Sequence, residues 1–193
     1  MMEIFDTEFE GLKLIKSQKF TDERGFFFES YSTSVFSKLG INEEFNQDNV
    51  SLSKKGTLRG MHGQMSPNQS KFVRCLSGKI IDSVVDIRPN SKTFLQSYSV
   101  ELSANDDFST ALFVPHGFLH GFLALEDGTI VSYKVTGLYN KAGEYSASPL
   151  ECGVDWLKYG IDEFVISEKD RCNPKIDDFI KSDMFVNNIQ KTF

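Results

Sequence analysis

The sequence predicts an all-β fold, a sandwich or barrel best met by the two curved antiparallel sheets of a jelly roll. Three observations lead there. Two-residue alternation of apolar and polar side chains is the commonest pattern along the chain, and that is the period of a half-buried strand. Turn signals such as Ser77-Gly78 and Asp127-Gly128 break it into short pieces. Phenylalanine is over-used, at 18 of 193 residues, and aromatic side chains suit a pleated, half-buried surface.

The elements follow in order. Short strands are expected at residues 12–15, 26–31, 49–52 and 111–114. Residues 71–76 alternate, Ser77-Gly78 offers a turn, and 79–87 runs on as a strand, a hairpin signature. Residues 94–100 alternate again. Strands at 119–125 and 129–135 flank Asp127-Gly128, a dipeptide favoured in tight hairpin turns. One short helix fits 34–39, capped by Thr33 or Ser34 and closed by Gly40. A second is expected in the tail, with Pro174 at its first turn. With no repeat, no low-complexity stretch and no linker, residues 1–193 read as one domain with a C-terminal tail from about 174.

Composition narrows the function. Hydrophobic residues make up 40% of the chain, enough for a sizeable core, and the formal net charge is −6. No basic face or stripe marks a nucleic-acid partner, so an anionic ligand would have to be met by a few placed cations. The first residues are acidic where a secretory signal carries positive charge, and no apolar run approaches the length of a membrane span. Cys75, Cys152 and Cys172 are odd in number and lack CxxC spacing. They read as free thiols in a reducing cytoplasm, with no catalytic role.

Some polar residues share a strand face with apolar ones. His120 alternates with Phe118 and Phe122, Asp82 with Ile80 and Val84, and Tyr133 with Val131 and Val135. One buried His or Tyr alone is ordinary core behaviour. Three strands aiming such groups into one interior suggest a site, because each costs about 1–3 kcal/mol if left unpaired.

Around these residues runs a series of motifs: Thr21-Asp22-Glu23-Arg24-Gly25-Phe26-Phe27-Phe28-Glu29, Asn46-Gln47-Asp48-Asn49, Arg59-Gly60-Met61-His62-Gly63-Gln64, Ser70-Lys71-Phe72-Val73-Arg74, Asp82-Ser83-Val84-Val85-Asp86-Ile87-Arg88, Pro115-His116-Gly117-Phe118-Leu119-His120-Gly121-Phe122, Ser132-Tyr133-Lys134 and Ser167-Glu168-Lys169-Asp170. In this order and spacing the series resembles the dTDP-4-dehydrorhamnose 3,5-epimerase family, over roughly residues 10 to 175. The resemblance implies a cupin-like jelly roll with a few short helices, homodimeric with shared sites, that needs neither metal nor organic cofactor. It implies an isomerase that equilibrates C3 and C5 beside the C4 ketone of a nucleotide-linked 6-deoxysugar. By the same resemblance His62 is the general base, Asp170 its orienting partner, Tyr133 the acid on the opposite face, and Lys71 the cation facing the enolate oxygen. His120 and Asp82 belong to the same pocket. Arg59 resembles a diphosphate ligand, and Arg24, Phe27, Glu29, Gln47 and Asn49 resemble nucleotide-side residues, some contributed across the dimer. Glu144 and Lys169 match further substrate contacts.

The chemistry asks for these residue types on its own account. A proton beside a ketone is acidic only if the developing enolate is stabilised, which a cation such as Lys71 does. A histidine titrates near neutrality, and a carboxylate on its second nitrogen fixes the tautomer and supports the imidazolium. Inversion needs a second group on the far face, and a tyrosine hydroxyl serves. Arginine offers a planar fork to diphosphate oxygens.

The sequence also departs from the pattern. Gly63 stands where the family usually has an aromatic residue, which predicts an enlarged pocket; Asn140-Lys141 and Leu157 replace prolines in loops. Other readings are an epimerase acting at one centre only, an epimerase of a GDP-heptose, and a non-catalytic sugar-binding cupin. A metal enzyme is poorly supported, because His62 has no His two residues away and Pro115 and Gly117 interrupt the His116–His120 face.

Overall fold

Alternating strands close into two antiparallel sheets, packed face to face, in the computed structural model, which describes residues 2–193. In chain order the elements are β1 (Met2–Asp6), β2 (Lys13–Gln18), β3 (Phe20–Asp22), β4 (Gly25–Phe27), α1 (Thr33–Lys38), β5 (Phe45–Ser53), β6 (Leu58–Gln64), β7 (Lys71–Ser77), β8 (Lys79–Asp86), β9 (Ser97–Ser103), β10 (Phe108–Val114), β11 (Phe118–Ala124), β12 (Thr129–Thr136), β13 (Glu144–Ser146), α2 (Glu168–Arg171) and α3 (Ile176–Phe179). The six-stranded sheet has the order β1-β2-β10-β7-β12-β5 and the five-stranded sheet β13-β6-β11-β8-β9, while β3 and β4 pair only with each other. This is the cupin-like jelly roll, with a few short helices, that the sequence predicts.

Three apolar layers hold it together. Between the sheets, Val73, Leu112 and Val131 of one face Ile80, Val84, Phe118 and Phe122 of the other. The outer face of the five-stranded sheet, with Met61, Val85, Leu119 and Leu123, is covered by Tyr145, Trp156 and the tail residues Phe179, Phe185 and Ile189. On the outer face of the six-stranded sheet, α1 lays Phe36 over Phe72 with ring centroids 4.8 Å apart. Every residue of β11 is buried because its sheet is covered on both faces.

Several elements differ from expectation. Neither predicted hairpin exists: β7 pairs with β10 and β12 while β8 pairs with β11 and β9, and likewise β11 and β12 lie in different sheets. The turns at Gly78 and Gly128 are real, with φ of +73° and +71°, but they carry the chain from one sheet to the other. Alternation marks an inward face without naming the sheet. Burying Val73 against Ile80 requires them to come from opposite sheets. The strand expected at 26–31 stops at Phe27, and β9 starts at Ser97 because residues 92–95 form turns, Leu95 having φ +61°. The cap of α1 is Ser32, whose side chain makes no capping bond. Pro174 precedes Lys175, the cap of α3, and so lies outside the first turn. Among the described residues no helix is long and apolar enough to cross a membrane.

The tail is part of the core by packing. Phe179 is buried, with its ring 5.9 Å from that of Tyr145 and 5.7 Å from that of Phe185. Phe179→Ala should cost about 3–5 kcal/mol in urea unfolding, as for other buried aromatic truncations. A loss under about 1 kcal/mol, the scale of a surface substitution, would mean the tail is not docked as described.

Candidate functional site

Most of the expected residues converge at one opening between the sheets. A cavity of about 300 Å³ is lined by Gln47 and Asn49 of β5, His62, Gly63 and Gln64 of β6, Gln69, Lys71 of β7, Tyr133 of β12, Tyr139 and Glu144. A smaller one of about 80 Å³ shares His62, Lys71 and Tyr133 and adds Arg59, Gly60, His120, Gly121 and Phe122. Strands β6 and β11 approach so closely here that only glycine fits. A Cβ on Gly60, whose φ is +126°, would meet the Gly121 backbone, and one on Gly121 would meet the Arg59 carbonyl.

Both histidines of the site carry a carboxylate. His62 stands opposite His120 in the β6–β11 register. Nε2 of His62 lies 2.6 Å from Oδ1 of Asp170, which α2 brings up just before the tail. Burial works to raise the Asp170 carboxyl, but the hydrogen bond and charge of His62, with Ser167 and the Gly60 backbone, hold it below its ordinary value. Nε2 of His120 lies 2.5 Å from Oδ1 of Asp82. Asp82 is fully buried and does not line the cavity. It sits behind His120, with Oδ2 unpartnered. Among the described residues no three His, Cys, Asp or Glu side chains are grouped to hold a metal ion.

Lys71 and Tyr133 complete the centre. Lys71 is only 7% exposed and donates from Nζ to the His62 carbonyl oxygen at 3.3 Å. Burial lowers its pKa to about 8, against the pull of the Asp82 and Glu144 charges. Burial raises the Tyr133 phenol, opposed by Arg59, so the hydroxyl stays a neutral donor at neutral pH.

Around the rim, Arg59 donates from Nε to Ser53 Oγ and from Nη2 to the Leu52 carbonyl oxygen, each at 3.2 Å. Gln47 donates to Asn49 at 2.8 Å. Glu144 accepts from Lys169 at 2.7 Å and from the Tyr139 hydroxyl at 3.2 Å. Burial works against the Glu144 carboxylate, but Lys169, His62 and Tyr139 hold its pKa below the ordinary value. Three lining residues were not singled out from the sequence: Tyr139, Gln64 and Gln69. Gln64 accepts from the Asn140 N–H at 2.9 Å and donates to the Leu138 carbonyl at 3.1 Å, which fixes the loop that carries Tyr139. That loop has no alternation to betray it. Gln64 closes the Arg59–Gln64 motif and Gln69 precedes Ser70-Lys71, and neither has a polar role that periodicity could expose.

Arg24, Phe27 and Glu29 line neither of these two cavities; Arg24 and Phe27 line a separate one at β3–β4 with Phe20, Asp22, Gly25 and Phe26. Arg24 pairs with Asp22 at 2.5 Å, in the separate β3–β4 sheet, Phe27 is 71% exposed, and Glu29 is exposed beyond β4. The expectation for Gly63 is also corrected. A Cβ there would overlap the ring of Tyr145, its cross-strand partner, so the space beyond Gly63 is already filled.

Comparison with known proteins follows the same line. The family model for dTDP-4-dehydrorhamnose 3,5-epimerase matches residues 6–178. The dTDP-4-dehydrorhamnose 3,5-epimerase of Methanothermobacter thermautotrophicus is 42% identical over 169 residues, covering 86% of this chain and 89% of the relative. That of Salmonella typhimurium is 40% identical, covering 92% and 97%. Among solved structures, the chain is similar to a dTDP-6-deoxy-D-glucose-3,5-epimerase from Legionella pneumophila in complex with dTDP-4-keto-L-rhamnose, with TM-score 0.85, 36% identity and coverage of 92% and 94%. It is similar as well to a 3'-monoepimerase from Streptomyces bikiniensis in complex with dTDP, with TM-score 0.83, 26% identity and coverage of 97% and 96%.

The Gly63–Tyr145 contact makes a direct prediction. Gly63→Phe alone should destabilise the protein by at least about 1–3 kcal/mol through overpacking, and adding Tyr145→Gly should recover most of the thermal stability. A Gly63→Phe protein that melts with the wild type would show that the ring does not lie there.

Proposed function

The chain belongs to the dTDP-4-dehydrorhamnose 3,5-epimerase family of isomerases, and from that premise we propose that it inverts C3 and C5 of a dTDP-linked 4-keto-6-deoxyhexose, in a site built by residues 1–193 as one domain. The observation that carries this reading is the convergence of His62, Lys71 and Tyr133 on one cavity, with Asp170 on the far nitrogen of His62. Bound through Nε2, His62 keeps Nδ1 free to take the proton from the carbon beside the ketone. The C–H electron pair moves into the new C–C double bond and the ketone oxygen becomes an enolate. Lys71, buried and still mostly protonated at neutral pH, supplies the charge that oxygen needs. Tyr133 returns a proton to the opposite face and inverts the centre, after which the imidazolium gives its proton to solvent and the tyrosinate takes one up, restoring both groups. Repeating the cycle on the other side of the ketone inverts the second centre, and the second reading, inversion at one centre alone, draws on the likeness to the 3'-monoepimerase.

Binding follows the charges. Arg59 takes the diphosphate, Gln47 and Asn49 hold the nucleotide side, and Glu144 with Lys169 closes the rim, so that local cations offset a chain of net charge −6. Arg24, Phe27 and Glu29 reach a His62 cavity by crossing to a second copy. Exposed Phe20, Phe26 and Phe27 on β3 and β4 supply the apolar surface such a homodimer would cover. The free cysteines fit a cytoplasmic location.

Incubation of the 4-keto sugar nucleotide in deuterated water tests the roles. His62→Ala should lose exchange and inversion together, by about 10²–10⁴-fold or more. Tyr133→Phe should still exchange at one ring carbon while losing inversion there, and Asp170→Asn should slow exchange without ending it. Exchange at the wild-type rate in His62→Ala would remove the base from the account.

The lysine sets a pH limit. Because Lys71 loses its charge as pH rises through about 8, kcat/KM should fall above that value, and Lys71→Arg should move the fall to higher pH. An unchanged alkaline limb in Lys71→Arg would assign it elsewhere. Sedimentation at micromolar concentration should give a dimer; a monomer there would contradict the shared site.

A further inference from the structure

Arg74 is buried on the side of the six-stranded sheet opposite the cavity. It follows Val73, which packs between the sheets, and shares its face with Phe72, which packs under α1. It is 4% exposed and has no carboxylate partner among the described residues. Nη1 donates to the Ser30 carbonyl oxygen at 2.7 Å, Nη2 lies 3.5 Å from Ser17 Oγ, and Nε is buried without a partner. The guanidinium stacks between the rings of Phe28 and Phe72, at 5.1 and 5.0 Å. Burial alone pulls its pKa down to about 10. An uncompensated buried cation is costly, so what it holds matters.

What it holds is residue 28 on one side and residue 30 on the other. Between them Glu29 is exposed, and just before them Phe27 is exposed too. Past β4 this segment belongs to no sheet; its partly buried rings are Phe28, which lies against Arg74, and Tyr31, which packs on Phe36 and Phe45 beyond Ser30. We infer that Arg74 is a positioning residue for nucleotide binding, pinning Phe28 and Ser30 so that Phe27 and Glu29 are presented outward in a fixed geometry. This rests on the proposed assignment of Phe27 and Glu29 to the nucleotide. The planar guanidinium can lie between two rings and donate in its own plane at once, which an ammonium cannot do.

The test separates binding from chemistry. Calorimetry with dTDP alone and steady-state kinetics are run on wild type, Glu29→Ala, Arg74→Met, Arg74→Lys and the Arg74→Met/Glu29→Ala double variant. Arg74→Met should weaken dTDP binding and raise KM roughly tenfold, equivalent to about 1.4 kcal/mol, with kcat within about twofold. Arg74→Lys should recover little of this. The double variant should bind no more weakly than the worse single variant, because both changes act through the same segment. Should Arg74→Met fail to fold, Phe28→Leu removes the stack from the other side and should reproduce the loss. Wild-type protein that does not bind dTDP would overturn the functional reading and this inference with it. Wild type that binds, weakened by Glu29→Ala but not by Arg74→Met or Phe28→Leu, would overturn the inference alone. So would losses that multiply in the double variant, or a fall confined to kcat.

Discussion

The hydrogen bond between His62 Nε2 and Asp170 Oδ1 joins residues 108 positions apart, and the arrangement of the site depends on it. Asp170 reaches the histidine because Ser167 caps α2, accepting the Asp170 N–H at 3.1 Å. The helix is only four residues long and is held in place by what surrounds it. Phe179 follows in the tail and stacks on Tyr145, whose ring lies over Gly63, the residue after the histidine. The carbonyl of His62 meanwhile accepts from Lys71. One residue is thus held by ring, backbone and neighbour at once, each from a different part of the chain. Such over-determination is what holds a base to a fixed orientation.

A second constraint is electrostatic. The two adjoining cavities place a lysine, two histidines and a tyrosine largely out of water among polar side chains, where each ionised group must be matched by another. Asp82 and Glu144 oppose the desolvation of Lys71 and keep it charged at neutral pH, while Arg59 opposes that of Tyr133. Asp82 works from full burial behind His120, so it shapes the field of the cavity without entering it. In the proposed mechanism a proton would leave carbon and return to it while the compensating charges stay fixed, which is the condition for electrostatic preorganisation.

Much of this was legible in the residues because burial and chemistry leave different traces. Alternation exposed His120, Asp82 and Tyr133 as polar groups on apolar faces, and all three do face the space between the sheets or the groups that line it. It could not say which sheet a strand joins, so the turns at Gly78 and Gly128 read as hairpins when they are crossings. Gly63 misled because a missing side chain suggests a void, whereas Tyr145 from the neighbouring strand occupies that direction. Tyr139 was silent because a loop held by Gln64 has no period. Arg24, Phe27 and Glu29 lie away from the His62 cavity, and the short alternation of β3 and β4 carries no sign of what their exposed side chains meet.

Because the chain has only three histidines, their ring nitrogens can be resolved individually, and the claim that Asp170 orders His62 for proton abstraction has a direct test. Nitrogen-15 spectra of histidine-labelled protein at alkaline pH, assigned with His62→Gln, should show His62 neutral with its proton on Nε2 toward Asp170 and Nδ1 bare, and Asp170→Asn should disturb that tautomer. A His62 protonated at Nδ1 in the wild type, or a tautomer indifferent to Asp170→Asn, would contradict the account.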